Sequence, residues 1–117
     1  MRRGKEIAQG SHASMGFLAD PCREQLCAGS DGTVTITLSE AEKSWLTIGV
    51  AKICLQVTSE EQLLQIHQEA LAAGLKSHLI RDSGKTEFAG VPTYTACAIG
   101  PDMSEKIDAV TGALALY

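Results

Sequence analysis

The sequence predicts an α/β protein: a three-layer sandwich in which a small mixed β-sheet of about four strands is covered by helices on both faces. The first observation is that helix-like and strand-like patterns alternate from residue 50 onward. The second is that two capping-box signatures mark helix starts, at Ser39 and Ser59. The third is the length of 117 residues, which suits one core without linkers or repeats. We therefore expect residues 1–117 to form a single domain.

Composition narrows the class of protein. The net charge of −4 argues against nucleic-acid binding driven by overall charge, although Arg2, Arg3 and Lys5 make the beginning of the sequence locally basic. No apolar run is long enough to span a bilayer, and no signal peptide is evident. The four cysteines lack the paired spacing of a zinc site, while a Cys22–Cys27 bridge stays open. We expect a cytoplasmic protein without a metal or cofactor.

Residues 4–18 predict an amphipathic helix that ends before Asp20-Pro21, because proline disfavours the helical conformation of the residue before it. One stripe of this helix is mainly apolar and is made of Ile7, Ala8, Ser11, Met15 and Leu18. A second stripe carries a cation, an amide, an imidazole and a glycine, at Lys5, Gln9, His12 and Gly16. The second stripe is either a ligand-facing line or a solvated face that includes a partly buried histidine.

Two glycines within this helix also indicate a close contact. Gly10 and Gly16 each cost roughly 1 kcal/mol of helix stability relative to alanine. Their presence suggests that another backbone or a ligand approaches the helix at these positions.

The middle of the chain predicts two strands and two helices. Residues 33–38 alternate between apolar residues and threonine, which is typical of a half-buried edge strand or hairpin arm. A short helix follows Ser39, and residues 50–57 have the pattern of a buried strand that contains Cys54. Residues 60–73 form the clearest helix, which Gly74 ends in the left-handed conformation.

Residues 75–81 and 93–99 predict two further strands that enclose a polar loop. Polar side chains in a loop between buried strands are the usual way in which an α/β scaffold presents a site. Here they are Asp82, Ser83, Gly84, Lys85, Thr86, Gly90, Thr93 and Thr95. The Asp-Ser-Gly start is also ordinary turn chemistry, so both interpretations are open. A last helix is expected from a cap at Asp102 to about Gly112.

The first helix and the polar loop together resemble the type 2 peptidyl-tRNA hydrolases, an archaeal and eukaryotic class that also occurs in some bacteria. The helix matches the pattern Gly-Lys-x-x-Ala-Gln-x-x-His-Ala over residues 4–13. The loop matches Asp-[Ala/Ser]-Gly-x-Thr from Asp82, followed by a later Gly and Thr and by Ile-Gly-Pro at residues 99–101. The resemblance covers nearly all of the chain outside residues 20–45, and we expect a bacterial member.

The resemblance implies an esterase that releases free tRNA by cleaving the ester between a peptide and the terminal ribose. It associates Lys5, Asp82 and Thr95 with activity, and it places His12 and Thr86 close to the site. Asp82 would either accept a proton from water or orient Lys5, whose charge would face the oxyanion or the terminal phosphate. Substrate contacts are expected from Arg2, Arg3, Gln9, Arg81, Gly84 and Lys85. A homodimer is also implied.

One departure from the family concerns the start of the sheet. Family members have a hydrophobic strand before the lysine-bearing helix, and no such strand precedes Lys5 here. We expect that the true start lies upstream; replacement of the strand by residues 33–38, or a degenerate relative, are the alternatives.

Two other functions compete with the hydrolase. One is a non-catalytic RNA- or protein-binding relative that receives its missing strand from a partner. The other is a hydrolase that uses Cys54 or Cys97 as nucleophile, which would require an exposed thiolate of low pKa. Convergence of Lys5, Asp82 and Thr95 would favour the first hypothesis over the binding module.

Overall fold

The computed structural model describes residues 1–84 and 90–117. Within these ranges the elements follow the order α1 (Arg3–Cys27), α2 (Glu40–Ile48), α3 (Glu60–Ala72), β1 (Ser77–Asp82), β2 (Thr93–Ile99) and α4 (Ser104–Thr111). β1 and β2 pair antiparallel. The α/β class agrees with the prediction. The predicted mixed sheet of about four strands is wrong for the described residues, which contain one sheet of two antiparallel strands.

Helices α1 and α3 cover opposite faces of this sheet. Successive side chains of a strand point to opposite faces. Ser77 bonds to His67 of α3 at 2.6 Å, whereas its neighbour His78 lies 2.8 Å from Asp20 of α1. The expected helices on both faces are therefore present. Between the layers lies a small aliphatic core formed by Ala13, Leu63, Ala70, Leu75 and Ile80.

Helix α1 is longer than the sequence predicts. It continues through Pro21, so the expectation that Asp20-Pro21 ends the helix is wrong. The second half is held by contacts with distant parts of the chain. Asp20 pairs with His78, and the Gln25 carboxamide donates to the carbonyl of Thr35 at 2.6 Å and accepts from its N–H at 2.8 Å. These tertiary contacts override a local conformational preference.

The face of α1 that packs on the sheet is not the apolar stripe. Ile7 is 65% exposed and Met15 is 61% exposed. The line turned toward the sheet consists instead of Lys5, Gln9, Ala13 and Gly16, of which the last two are buried. Amphipathic periodicity predicted the helix correctly but not the face that it buries.

The two strands predicted in the middle of the chain do not form. Residues 33–38 are irregular, although their exposure alternates as predicted, with the apolar residues half-buried and the threonines exposed. Residues 50–57 contribute only an isolated bridge between Leu55 and Leu116. Cys54 is exposed rather than buried. Thr35 satisfies its backbone through the Gln25 side chain, which takes the place of a neighbouring strand.

The two helices with capping signatures begin where the sequence predicts. The Ser39 hydroxyl accepts from the N–H of Glu42 at 3.1 Å, and the Glu42 carboxylate accepts from the N–H of Ser39 at 2.8 Å. Ser59 caps α3 by accepting from the N–H of Gln62 at 3.1 Å. Gly74 follows α3 with φ of 79°, as expected for a left-handed end.

Helix α4 begins one residue later than predicted. Its N-cap is Met103, which makes no side-chain cap, so Asp102 is not the capping residue. The Asp102 carboxylate accepts from the N–H of Met103 at 2.7 Å instead. The end of the helix at Gly112 agrees with the prediction.

Candidate active site

The first two turns of α1 meet the polar ends of β1 and β2. Lys5 Nζ lies 2.7 Å from Asp82 Oδ2. One turn further along α1, Gln9 Oε1 accepts a hydrogen bond from the Thr95 hydroxyl at 2.5 Å. Residues four apart on a helix lie on the same face. Helix α1 therefore brings an ammonium and a carboxamide together against a carboxylate and a hydroxyl on the sheet.

A β-bulge directs Thr95 toward α1. The residues on either side of it, Tyr94 and Ala96, pair with consecutive residues of β1, so Thr95 has no partner in that strand. An extra residue of this kind changes the direction in which the following side chains point. The bulge therefore lets the Thr95 hydroxyl join Asp82 on the face covered by α1.

The Asp82 carboxylate is buried and paired with a charge. Its side chain is 5% exposed, and its Oδ1 accepts from the N–H of Gly84 at 2.8 Å. The bond from Lys5, and then the bond from Gly84, lower the pKa of Asp82 from its ordinary value of 3.8. The carboxylate is thus ionised at neutral pH and is a weak base, which suits a group that orients Lys5.

Gly84 and Gly90, at the two ends of the polar loop, are joined by a backbone hydrogen bond. Gly84 is buried with φ of +83°, and a Cβ at this position would lie 2.4 Å from the carbonyl oxygen of Val91. Its own carbonyl accepts from the N–H of Gly90 at 2.9 Å. The close backbone contact and the positive φ both require glycine here. Lys85 and Thr86, which were predicted to belong to the site, lie outside the described residues.

The remaining predicted residues lie around this cluster. Arg2 and Arg3 are exposed at the beginning of α1. Arg81 is exposed on β1, with its guanidinium carbon 5.8 Å from the centre of the Tyr94 ring. His12 is exposed, and its ring centre lies 6.2 Å from that of His78. The structure therefore brings together Lys5, Asp82, Gln9 and Thr95, whereas the arginines and His12 lie at its margins.

Several neighbours of the site were missed in the sequence. His78 lies four residues before Asp82 in β1, and the period of two in a strand would have placed both on the face of α1. Glu6 bonds to the hydroxyl of Tyr117 over a separation of 111 residues, for which no local pattern gives a signal.

The structure does not favour Cys97 as the nucleophile of the cysteine hypothesis, whereas Cys54 is exposed, contrary to expectation. Cys97 is half-buried, and burial raises the pKa of its thiol. A raised pKa reduces the thiolate fraction that a nucleophile requires.

Across residues 1–84 and 90–117, no group of His, Cys, Asp and Glu side chains is arranged to hold a metal ion. Nor does any helix within those ranges combine the length and apolar character needed to cross a membrane.

The fold and the site define an α/β protein with a polar cluster that presents an oriented cation beside an amide–hydroxyl pair. The chain matches the family described as peptidyl-tRNA hydrolase PTH2 over residues 1–117. A peptidyl-tRNA hydrolase of Methanocaldococcus jannaschii is 37% identical over 99% of this chain and 89% of its own length. One from Methanopyrus kandleri is 38% identical over 99% of this chain and 87% of its own length.

A eukaryotic relative is also similar to this chain. The probable peptidyl-tRNA hydrolase 2 of Dictyostelium discoideum is 35% identical over the whole of this chain and 49% of its own length. The chain therefore belongs to the peptidyl-tRNA hydrolase PTH2 family.

Proposed function

We propose that this chain is a peptidyl-tRNA hydrolase, a carboxylic ester hydrolase that separates a peptide from tRNA and returns free tRNA to translation. The observation that carries the proposal is the Lys5–Asp82 pair at 2.7 Å, beside Gln9 and Thr95. Family membership supports it, because the archaeal relatives bear the name peptidyl-tRNA hydrolase. The convergence of Lys5, Asp82 and Thr95 supports the hydrolase over a binding module.

The chemistry requires stabilisation of negative charge on the ester oxygen and a positioned water. The Lys5 ammonium supplies the charge, and Asp82 holds it in place. The lowered pKa of Asp82 supports this orienting role over that of a proton acceptor. Thr95 lies beside the pair, within the same polar cluster. Thr86 and His12 complete the proposed set.

We expect the basic residues around the site to bind the phosphates of the substrate. Arg2 and Arg3 are exposed at the positive end of the α1 dipole, which favours a phosphate. Together with Arg81 and Lys85 they would contact tRNA phosphates without reading sequence. Gly84, whose close backbone contact is with Val91, completes the proposed substrate-binding set.

The first test is release of tRNA from N-acetylaminoacyl-tRNA by the wild-type chain, by Lys5→Met and by Asp82→Asn. We expect each substitution to lower kcat by about 10²–10³-fold, because each removes or releases the charge that faces the oxyanion. Lys43→Met is the matched control, since Lys43 makes a comparable pair with Glu40 on the exposed surface of α2. A folded Lys5→Met variant with full turnover would contradict the proposal.

Further expectations about the whole molecule also remain proposals. We propose a single domain over residues 1–117, a cytoplasmic location and a bacterial origin. The exposed Ile7 and Met15 on α1 support a homodimer, because they form an apolar face without a partner in the described chain. Residues 33–38 are irregular and therefore do not take the place of the family's first strand in this sheet.

A further inference from the structure

The hydrogen bond between Gln9 and Thr95 defines which of the two side chains donates and which accepts. The Thr95 hydroxyl donates to Gln9 Oε1 at 2.5 Å in a half-buried position. A hydroxyl carries one proton, so Thr95 has no second proton with which to stabilise an oxyanion. A carboxamide has an acceptor oxygen and a donor NH₂ group. Because the Gln9 oxygen is held by Thr95, its NH₂ group points away from Thr95 and remains a donor.

The position of that NH₂ group is set by helix geometry. Gln9 follows Lys5 by one turn on the sheet-facing line of α1. Side chains with this spacing have Cβ atoms about 5–6 Å apart. A residue of the sheet also contacts each of these side chains: Asp82 contacts Lys5, and Thr95 contacts Gln9. In the described part of the chain, the bond with Thr95 is the one hydrogen bond of the Gln9 carboxamide.

We propose that Gln9 is a catalytic residue that donates an Nε2–H hydrogen bond to the oxyanion beside Lys5, and that Thr95 is the positioning residue that fixes this orientation. The inference rests on the proposed function. It reverses the roles given by the sequence, in which Thr95 was catalytic and Gln9 only bound substrate. Two donors on one helix face, a charged one and a neutral one, form an oxyanion site.

The reaction balances without any proton passing through Gln9. Water adds to the ester carbon, and the carbonyl oxygen acquires negative charge. The bond from the ester carbon to the ribose oxygen then breaks, and that oxygen receives the proton that the water has lost. Gln9 contributes only a hydrogen bond, which strengthens as charge develops on the carbonyl oxygen. Its removal is therefore expected to lower kcat more than it changes KM.

Gln9→Glu is the decisive substitution, because glutamate keeps the oxygen that accepts from Thr95 but loses the N–H donor. We expect kcat to fall by about 10²-fold at neutral pH with little change in KM. Gln9→Met, which is uncharged, is expected to show a similar loss and excludes a charge effect on Lys5. Protonation of the new carboxyl restores a donor, so kcat of Gln9→Glu should rise as the pH falls, unlike that of the wild type.

The Thr95 variants test the positioning role. Thr95→Ser keeps the hydroxyl and should retain most of the activity, whereas Thr95→Val removes it and should lower kcat by about tenfold. In the double variant of Gln9→Met with Thr95→Val, the losses should be smaller than the sum of the single effects, since both act through one group. Additive losses would overturn the assigned dependence of Gln9 on Thr95.

The outcomes separate this inference from the proposed function. An active wild type whose Gln9→Glu variant keeps full kcat would overturn the donor role and leave the hydrolase intact. A wild type that is folded by circular dichroism but releases no tRNA would overturn the hydrolase and the inference together. If Gln9→Met fails to fold, Gln9→Glu and its pH profile still decide between the two roles of Gln9.

Discussion

At the residue scale, the ion pair between Lys5 and Asp82 makes the free energy of unfolding depend on pH in the acid range. Both bonds to this carboxylate, from Lys5 first and from Gly84 second, favour its ionised form and lower its pKa. A group whose pKa is lowered by folding stabilises the protein above its ordinary pKa. This stabilisation is therefore present above pH 3.8 and is lost as the pH falls further, through the folded pKa.

We expect the wild type to have a larger free energy of unfolding than Asp82→Asn at neutral pH, and the difference to narrow below pH 3.8. Urea denaturation at a series of pH values would measure it. The same comparison in a Lys5→Met background is the control, because the pair is already broken there. A difference that stays constant through the acid range would show that the pair does not hold the carboxylate ionised.

The sequence identified the types of residue in the site more fully than their contacts. Motif spacing singled out Lys5, Gln9 and Asp82, and the structure places Lys5 and Asp82 in contact. The bond from Thr95 to Gln9 depends on a bulge in β2, which leaves no mark in local sequence. Contacts between residues 86 positions apart follow from strand register rather than from periodicity.

At the scale of elements, Gly16 allows α1 to lie directly against β1. A Cβ at Gly16 would come within 2.1 Å of the His78 ring, whereas a Cβ at Gly10 of the same helix would meet no atom of the described residues within 4 Å. The sequence predicted that another backbone or a ligand approaches both glycines, whereas the neighbour of Gly16 is the His78 side chain and no described backbone lies close to Gly10. The two positions therefore form a matched pair for substitution.

We expect Gly10→Ala to stabilise the protein by about 1 kcal/mol, because alanine is the better helix former. Gly16→Ala is expected to destabilise it by roughly 1–3 kcal/mol, since the His78 ring must move and leave its 2.8 Å contact with Asp20. Denaturant unfolding of both variants measures the difference. Equal stabilisation by the two substitutions would mean that α1 does not pack on His78.

Local signals predicted the elements that carry their own start and stop residues. Ser39 and Ser59 fix helix starts through bonds within four residues, and Gly74 marks an end in the same local way. The strand predictions for residues 33–38 and 50–57 failed because a strand needs a partner that periodicity cannot supply. The buried face of α1 was missed because Lys5 and Gln9 are polar yet have buried or half-buried partners.

At the scale of the whole molecule, residues 115–117 return to the helix that carries Lys5. The N–H of Tyr117 donates to the carbonyl of Cys54 at 3.0 Å, and the N–H of Gln56 donates to that of Ala115 at 2.9 Å. The Tyr117 hydroxyl donates to the carboxylate of Glu6, the residue next to Lys5. The first turn of α1, which carries Lys5, is thus connected to the segment around Cys54 through Tyr117.

The contact with Glu6 can be detected in the titration of the Tyr117 phenol. The Glu6 carboxylate accepts a hydrogen bond from the phenol and raises the pKa of Tyr117 above its ordinary value of 10.0. A pKa raised by folding means that the contact stabilises the protein below that value and is lost as the pH rises through the folded pKa. In a Tyr94→Phe background, which leaves Tyr117 as the one tyrosine of the sequence, we expect Glu6→Gln to move the absorbance titration of Tyr117 toward 10.0.

A further variant, Tyr117→Phe, tests whether the contact between Tyr117 and Glu6 affects the site. If Tyr117 holds the first turn of α1 in place, Tyr117→Phe should increase amide hydrogen exchange in that turn while exchange in α3 is unchanged. Turnover should fall far less than in Lys5→Met, because the ammonium remains paired with Asp82. If Glu6→Gln does not change the pKa of Tyr117, then Tyr117 does not contact the first turn of α1. The Lys5–Asp82 pair would then be the contact that holds this turn on the sheet.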